Sequence, residues 1–377
     1  MLKVAIVGCG KIADAHAEML TQVVGCEMVA VCDREPLMAR QLYERFPIKA
    51  WYSDLGELLD KARPDVVHIT TPPQTHYELG RQCLEHGCHV YLEKPFTIDA
   101  IEAEKIVRLA TEKNLKVTVG NDAHFTHAAK KFHEIVKTGY LGGPPVHMES
   151  YYCSELRGSY AKALLGDRHH WVRRLPGKLL HNIISHGVVR IAEFMPDNDP
   201  QVVAHGAISP LLQSFGETEI IDELRVIVAG RSGVSAYFTF SSQMQPSLHQ
   251  FRVYGPTNGL VLDDDEQSVM KLRGPRFKSY AGKFLPPIFQ AGQCWQNLVR
   301  NVNLFRRRDF HLKGGMKHLI EAFYRSITED APLPISHREI VLTCRIMDAI
   351  FAQIQSPAAV AARSALAAQT SPASGKA

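Results

Sequence analysis

The run Val4-Ala5-Ile6-Val7 passes directly into Gly8-Cys9-Gly10-Lys11-Ile12-Ala13, and an apolar helical period starts at once behind it. A buried strand, a glycine turn and a helix in immediate succession leave few folds open. Gly8 permits a tight turn, Gly10 lets backbone approach a ligand closely, and the small Ala13 lets helix and strand pack together. The unpaired N–H groups and positive dipole end of such a helix suit a diphosphate. About twenty positions on, the spacing expected of a ribose-binding acid, Asp33 closes the next apolar run in Ala30-Val31-Cys32-Asp33-Arg34. Its carboxylate suits ribose hydroxyls and repels a 2′-phosphate, so NAD is the expected cofactor. Arg34 beside it suits a 2′-phosphate, which leaves NADP open. The expected cofactor contacts here are Gly8, Gly10, Lys11, Ile12, Ala13, Asp33 and Arg34.

The same rhythm repeats through residue 120. Strands are predicted at 4–7, 28–32, 66–70, 89–92 and 116–119, and helices at 11–21, 36–46, 54–61, 75–86 and 98–113. Short β-branched runs, each followed by a helix, imply an α/β domain: a Rossmann-type doubly wound parallel sheet over residues 1–122. The rhythm then changes. After a helix over 126–138 come strand-like runs at 146–153, 202–208, 219–228, 234–240, 249–254, 259–262 and 268–272. Long helices do not separate them, so a large, mainly antiparallel open sheet is expected. Helices at 178–195, 287–304, 314–329 and 338–353 complete an α+β second domain over 123–355. The Ala- and Ser-rich tail, 356–377, is expected to be flexible.

Composition narrows the function. A formal charge of +4 on 377 residues, with no long basic stretch, argues against nucleic acid. No apolar run is long enough to span a bilayer, so no membrane partner is expected. The chain enters its first strand without a leader pattern, and its eight cysteines form no Cys-x-x-Cys pair. Reduced thiols in the cytoplasm follow. Cys83 and Cys88 lie near His86 and His89, but they straddle a helix-to-strand turn without zinc spacing, so no metal is expected.

Glu93-Lys94-Pro95 stands at the end of the fourth strand. A lysine there faces the crevice in which a doubly wound sheet binds its ligand. It can move a proton while a nicotinamide moves a hydride. Four signatures are now in register: Gly8–Ala13, Thr71-Pro72-Pro73-x-x-His76, Glu93-Lys94-Pro95 and Gly120–Phe125 follow the first, third, fourth and fifth strands. Together they resemble the glucose–fructose oxidoreductase / inositol dehydrogenase / rhizopine catabolism (Gfo/Idh/MocA) family, and the strands behind them fit that family's second domain. The resemblance covers residues 1–355. It implies an NAD(P)-dependent oxidoreductase of a secondary hydroxyl or ketone on a sugar, nucleotide sugar or cyclitol. It also implies that Thr71, Pro72, Pro73, His76, Glu93 and Lys94 line the cofactor, that Lys94 is the acid/base, and that the Pro95 peptide is cis.

The family's second motif, Asp-x-x-x-His, falls on Asn182-Ile183-Ile184-Ser185-His186. The histidine is present, but an amide replaces the carboxylate and cannot take a proton. Acid/base duty is then expected of Lys94 and His186. Asn182, His186 and Arg190 share one helix face at i, i+4 and i+8. Upstream, Tyr151, Tyr152, Arg157, Tyr160, Lys162, Arg168, His169, His170, Trp171, Arg173 and Arg174 form a polar aromatic stretch. Aromatic faces and guanidinium groups suit sugar rings and phosphates. The expected substrate contacts are Asn182, His124, Tyr152, Trp171, Arg168 and Arg190, toward a small polyhydroxylated molecule. An open sheet needs its outer face covered, so a homodimer or homotetramer is expected. Two other readings stay open. One is transient oxidation by NAD that serves epimerisation, elimination or glycoside cleavage. The other is a non-catalytic, ligand-sensing regulator on the same fold.

Overall fold

Short, largely apolar segments can bury both faces, and they build the first sheet. The computed structural model describes residues 1–156, 158–273, 280–311, 313–356 and 359. Arg157 and, of the expected tail, residues 357–358 and 360–377 lie outside the described residues. The chain runs β1 (Leu2–Val7), α1 (Lys11–Leu20), β2 (Cys26–Cys32), α2 (Pro36–Arg45), β3 (Ala50–Tyr52), α3 (Leu55–Ala62), β4 (Val66–Ile69), α4 (His76–Glu85), β5 (His89–Leu92), α5 (Ala100–Glu112) and β6 (Val117–Val119). These six strands pair in parallel in the order β3-β2-β1-β4-β5-β6. The order reverses between β1 and β4, which opens a crevice at their carboxyl ends. The short edge strand β3 has no counterpart in the predicted elements.

The second half contains α6 (His127–Lys137), β7 (His147–Cys153), α7 (Gly158–Gly166), α8 (Lys178–Ile183), α9 (Ser185–Phe194), β8 (Gln201–Ala207), α10 (Pro210–Ser214), β9 (Glu223–Ala229), β10 (Ser235–Ser241), β11 (Leu248–Tyr254), β12 (Asn258–Asp263), β13 (Ser268–Arg273), α11 (Ala281–Arg306), α12 (Gly314–Thr328) and α13 (His337–Ile354). Its sheet has seven strands in the order β13-β12-β11-β7-β10-β9-β8. Every pair is antiparallel except β7 with β10, which is parallel. One face packs on α6 and α9. There Gly187 has no room for a side chain, because a Cβ would sit 2.3 Å from Phe238. On the outer face Val203, Ile227 and Tyr237 are exposed and adjacent in register.

Two departures from the predicted elements have physical causes. The strand expected from 219 starts at Glu223. The Glu217 carboxylate takes the N–H groups of Thr218, Glu219 and Ile220, which bends the chain into a loop. The helix expected over 178–195 breaks at Ile184 into α8 and α9, so Asn182 and His186 lie on consecutive helices. The last two helices tie the halves together. Met316, Leu319, Ile320 and Phe323 of α12 join the core of the first sheet. α13 gives Ile340 and Cys344 to that core and Ile346, Met347, Ile350 and Phe351 to the other.

Gly8 adopts φ +92°, and a Cβ there would lie 2.6 Å from Thr71 Cγ2 and 2.9 Å from the Thr71 backbone nitrogen. Gly8→Ala is therefore expected to destabilise the chain by roughly 1–3 kcal/mol through combined strain and overlap. Urea denaturation checks this. An unshifted midpoint would mean that the turn relaxes freely.

Candidate active site

The glycine turn lies at the crevice. Cys9 N donates to Asp33 Oδ2 at 2.7 Å, and Glu35 N donates to Asp33 Oδ1 at 2.9 Å, so the β2 end is bound to the turn. Gly10 caps α1, and a Cβ built on it meets nothing within 4 Å. Open space over a helix N-terminus is what a diphosphate requires. Ala13 is fully buried against the strand, while Lys11, Ile12 and Arg34 are exposed. These residues fit a dinucleotide.

The Thr71-Pro72-Pro73 turn leads into α4, which opens on His76. His76 is fully buried. Its Nε2 lies 2.8 Å from Thr71 O, and its Nδ1 lies 3.0 Å from Pro95 O and 3.1 Å from Phe96 O. The ring braces the two crevice loops against each other.

Glu93 is likewise held beneath the crevice. Its Oε1 lies 2.8 Å from His16 Nε2. His16 Nδ1 is 2.8 Å from His68 Nδ1, and His68 Nε2 is 2.8 Å from Tyr324 Oη. With both rings neutral, one proton arrangement satisfies this chain. Tyr324 donates to His68, His68 donates to His16, and His16 donates to Glu93. Burial, then the neighbouring His16, holds His68 well below its ordinary pKa. Burial alone would raise the Glu93 carboxyl, but the hydrogen bond from His16 leads the effects that hold it low. Tyr91 stacks on His68 with ring centroids 4.6 Å apart.

Lys94 follows, with a cis peptide to Pro95. Its Nζ donates to Asn182 O at 3.2 Å, joining the first sheet to α8. Burial pushes the ammonium below its ordinary pKa, against the opposing pull of Glu93 and Asp122. Burial first, and Glu93 second, push Asp122 up to about 6, while Lys94 and His16 pull it down. Burial, then the charges of Lys94, His249 and Arg190, hold the His186 imidazole well below its ordinary value. Tyr152 stacks on His186 at 5.0 Å, and Asn182 Nδ2 donates to Tyr160 Oη at 3.0 Å. Lys94, Asp122 and His186 thus form one titratable group around the crevice, with Asn182 bonded to the lysine through its carbonyl.

Other expected contacts are committed elsewhere. Arg190 is buried and donates to both Asp264 oxygens at 2.8–2.9 Å and to Ala123 O, which ties α9 to those loops. Arg173 is buried in a pair with Glu217 at 2.6 Å. His124 is buried with Nδ1 3.4 Å from Glu193, whose other oxygen lies 2.8 Å from His133 Nε2. This trio, and His127 with Asp309 and His318, gather side chains that could hold a cation, a grouping that sequence spacing did not reveal. Arg168 is exposed, and Trp171 is anchored at the rim by Gln74, which donates to its carbonyl at 3.1 Å.

Sequence reading missed Asp122, Tyr160 and the His16–His68–Tyr324 chain. Asp122 was visible inside the fourth signature, three residues past β6. Tyr160 lay in the aromatic stretch without a partner. The histidine chain joins residues up to 256 positions apart, and only the polar character of His16 and His68 within buried elements hinted at it.

Residues 2–121 match the family model described as an oxidoreductase family with an NAD-binding Rossmann fold. The chain is 34% identical to D-glucoside 3-dehydrogenase of Escherichia coli over 144 residues, 37% of this chain and 40% of the relative. It is 26% identical to myo-inositol 2-dehydrogenase of Thermotoga maritima over 145 residues, 38% of this chain and 43% of the relative. The match thus spans less than half the length of these relatives. The fold is shared more widely. The WlbA dehydrogenase of Bordetella pertussis, solved with NADH and UDP-GlcNAcA, superposes with a TM-score of 0.73 at 15% identity over 93% of this chain and 94% of that one. UDP-N-acetylglucosamine 3-dehydrogenase of Acidithiobacillus ferrooxidans gives 0.68 at 16% identity over 95% and 99%.

The electrostatics of the group fix a sign. The Asp122 carboxylate raises the Lys94 pKa, so Asp122→Asn is expected to lower it further. The pH dependence of Lys94 modification by an amine reagent, followed by peptide mass spectrometry, measures this. A curve moved to higher pH, or unmoved, would refute the coupling. Asp122 itself binds its proton more tightly when folded. Its contribution to stability is therefore full below its ordinary value of 3.8 and is lost as pH rises through about 6.

Proposed function

We propose that this chain, which belongs through residues 2–121 to the Gfo/Idh/MocA oxidoreductase family with its NAD-binding Rossmann fold, is an NAD(P)-dependent dehydrogenase or reductase. Its substrate is a secondary hydroxyl, or the matching ketone, of a sugar, nucleotide sugar or cyclitol. The carrying observation is Lys94. It is a lysine with a lowered pKa at the end of β5, in the crevice that the glycine turn borders, bonded to the Asn182 carbonyl of the opposite unit. The D-glucoside and myo-inositol relatives support the substrate class.

The Gly10 turn and the N-terminus of α1 hold the diphosphate, and the Asp33 carboxylate accepts from the ribose hydroxyls, which favours NAD over NADP. When bound, the nicotinamide supplies the hydride acceptor or donor. Lys94, as free amine, takes the hydroxyl proton during oxidation and returns it during reduction. His186, kept neutral by burial, is the second proton acceptor. Tyr152, stacked on His186, and Trp171 at the rim offer faces to a sugar ring. The apolar row Val203, Ile227 and Tyr237 on the outer sheet face supports a homodimer or homotetramer. Eight unpaired cysteines support a reducing, cytoplasmic setting.

Lys94→Ala is expected to lower turnover by at least roughly 10²-fold, the usual scale of lost acid/base catalysis. Dinucleotide affinity, read by NADH fluorescence titration, should change only a few-fold. Undiminished turnover would sink the assignment. NADH produced in proportion to product indicates net oxidation; product without NADH indicates the transient-oxidation reading. Dinucleotide binding without turnover on any polyol would leave a sensing role.

A further inference from the structure

α11 is an amphipathic helix turned inside out. Its Gln293, Asn297, Arg300 and Asn301 side chains face its own protein. Gln293 pairs with both the N–H and the carbonyl of Lys271, at 2.7 and 3.2 Å, and Asn297 does the same with Val269, at 3.2 and 3.0 Å. Arg300 donates to Gln267 O, and Asn301 donates to Glu266 O. Two side-chain amides one turn apart thus occupy the free backbone groups of β13, an edge strand of the seven-stranded sheet. This docking fixes which face of the helix looks outward.

The outward face is apolar. Phe284, Ile288, Ala291, Trp295, Leu298, Val302 and Phe305 recur with spacings of four and three, a heptad seam. Phe284 is 68% exposed, Ile288 64%, Trp295 66% and Phe305 71%, while the helix's buried residue is Asn297. A helix meant to face water shows the reverse pattern.

We propose that α11 pairs antiparallel with α11 of a second copy of this chain along the seam from Phe284 to Phe305. Three observations favour this occupant. Each exposed aromatic ring offers roughly 150 Å², so the stripe with Phe289 and Val299 presents on the order of 800 Å², about what one partner contributes to a stable interface. The seam is self-complementary about its midpoint. A two-fold axis near Trp295 sets Phe284 against the partner's Phe305, Ile288 against the partner's Val302, and small Ala291 against the partner's Leu298. The seam carries no charge between Phe284 and Val299. Its flanks are Gln290, Gln296, Asn303 and the small Gly292 and Cys294, which permit close helix approach. A helix lying in lipid would carry flanking cations along its length, whereas here Arg300 is turned inward to Gln267 and the other cations, Lys283 and Arg306, stand at the ends.

Cys294 reports on the pairing, because it is the exposed thiol of the chain and adjoins the axis. Light scattering of the full chain is expected to give an even multiple of 42.1 kDa. Trp295→Glu, and separately Phe305→Glu, should halve that mass without changing the thermal melt. A short bis-maleimide should link two chains at Cys294, mapped by peptide mass spectrometry, and Cys294→Ser should abolish the link. A monomeric chain, or folded variants that keep the parental mass and crosslink, would overturn the proposal. If the variants do not fold, the Cys294 link alone decides: its presence supports the pairing and its absence overturns it. A monomer that sediments with phosphatidylserine vesicles through Trp295 would assign the face to a membrane instead. A mass halved on removal of residues 357–377, with no Cys294 link, would assign the contact to the tail.

Discussion

A buried carboxylate is the constraint on which the rest depends. Glu93 ends β5 beneath the crevice, where an unpaired charge would destabilise the fold by several kcal/mol. His16, reaching from α1, meets that need, and the Lys94 N–H adds to it at 3.2 Å. The neighbour across the sheet end, Gly120, must then lack a side chain, because a Cβ would lie 2.6 Å from Glu93 Oε1. His16 in turn needs His68 on β4, and His68 needs Tyr324 on α12. One charge thus fixes the relative positions of α1, β4, β5, the β6 end and a helix that returns from the far half of the chain. Lys94, the next residue, inherits a fixed place.

Desolvation then acts on every titratable group around that lysine. It lowers Lys94 and His186 and raises Asp122. The same burial that penalises each charge favours the uncharged form of all three groups. α13 supports this arrangement mechanically. Its two faces belong to the two cores, and Asp348 accepts from Ala100 N at 2.8 Å where α5 begins. The crevice lies between units that share a helix, so Lys94 and Asn182 can meet without a contact specific to either sheet.

The first sheet was almost wholly legible because each of its strands is a continuous apolar run closed by a turn signal. β3 escaped since Ala50-Trp51-Tyr52 is too short to show a period. In the second unit the alternation of β9 and β10 announced a half-buried sheet, but no local feature announces that β7 pairs with β10 in parallel. The site divides in the same way. The places of Gly8, Gly10, Asp33 and Lys94 at the strand ends are legible because they depend on backbone position within a repeating unit. The protein partners of Arg190 and His124 were not legible, because a polar residue looks the same in sequence whether or not it meets a residue such as Asp264 or Glu193. Partners distant in sequence decide that question. The outward seam of α11 stood in the sequence as a heptad, yet only the contacts of Gln293 and Asn297 show which face is outside.

Asn182 gains a physical meaning from its surroundings. Lys94 already feels two negative charges, Glu93 and Asp122, both of which raise its pKa against burial. A carboxylate at position 182, the residue whose carbonyl accepts from Lys94 Nζ, would add a third and hold the ammonium more firmly protonated. An amide there adds no charge, keeps a hydrogen bond to Tyr160 and leaves the lysine easier to deprotonate. The carboxyl function next to the lysine passes to Asp122, on the other side of the crevice, where a pKa of about 6 lets it both hold and release a proton. The departure at 182 and the presence of Asp122 are therefore one electrostatic arrangement: the charge that would sit on α8 sits instead beyond β6.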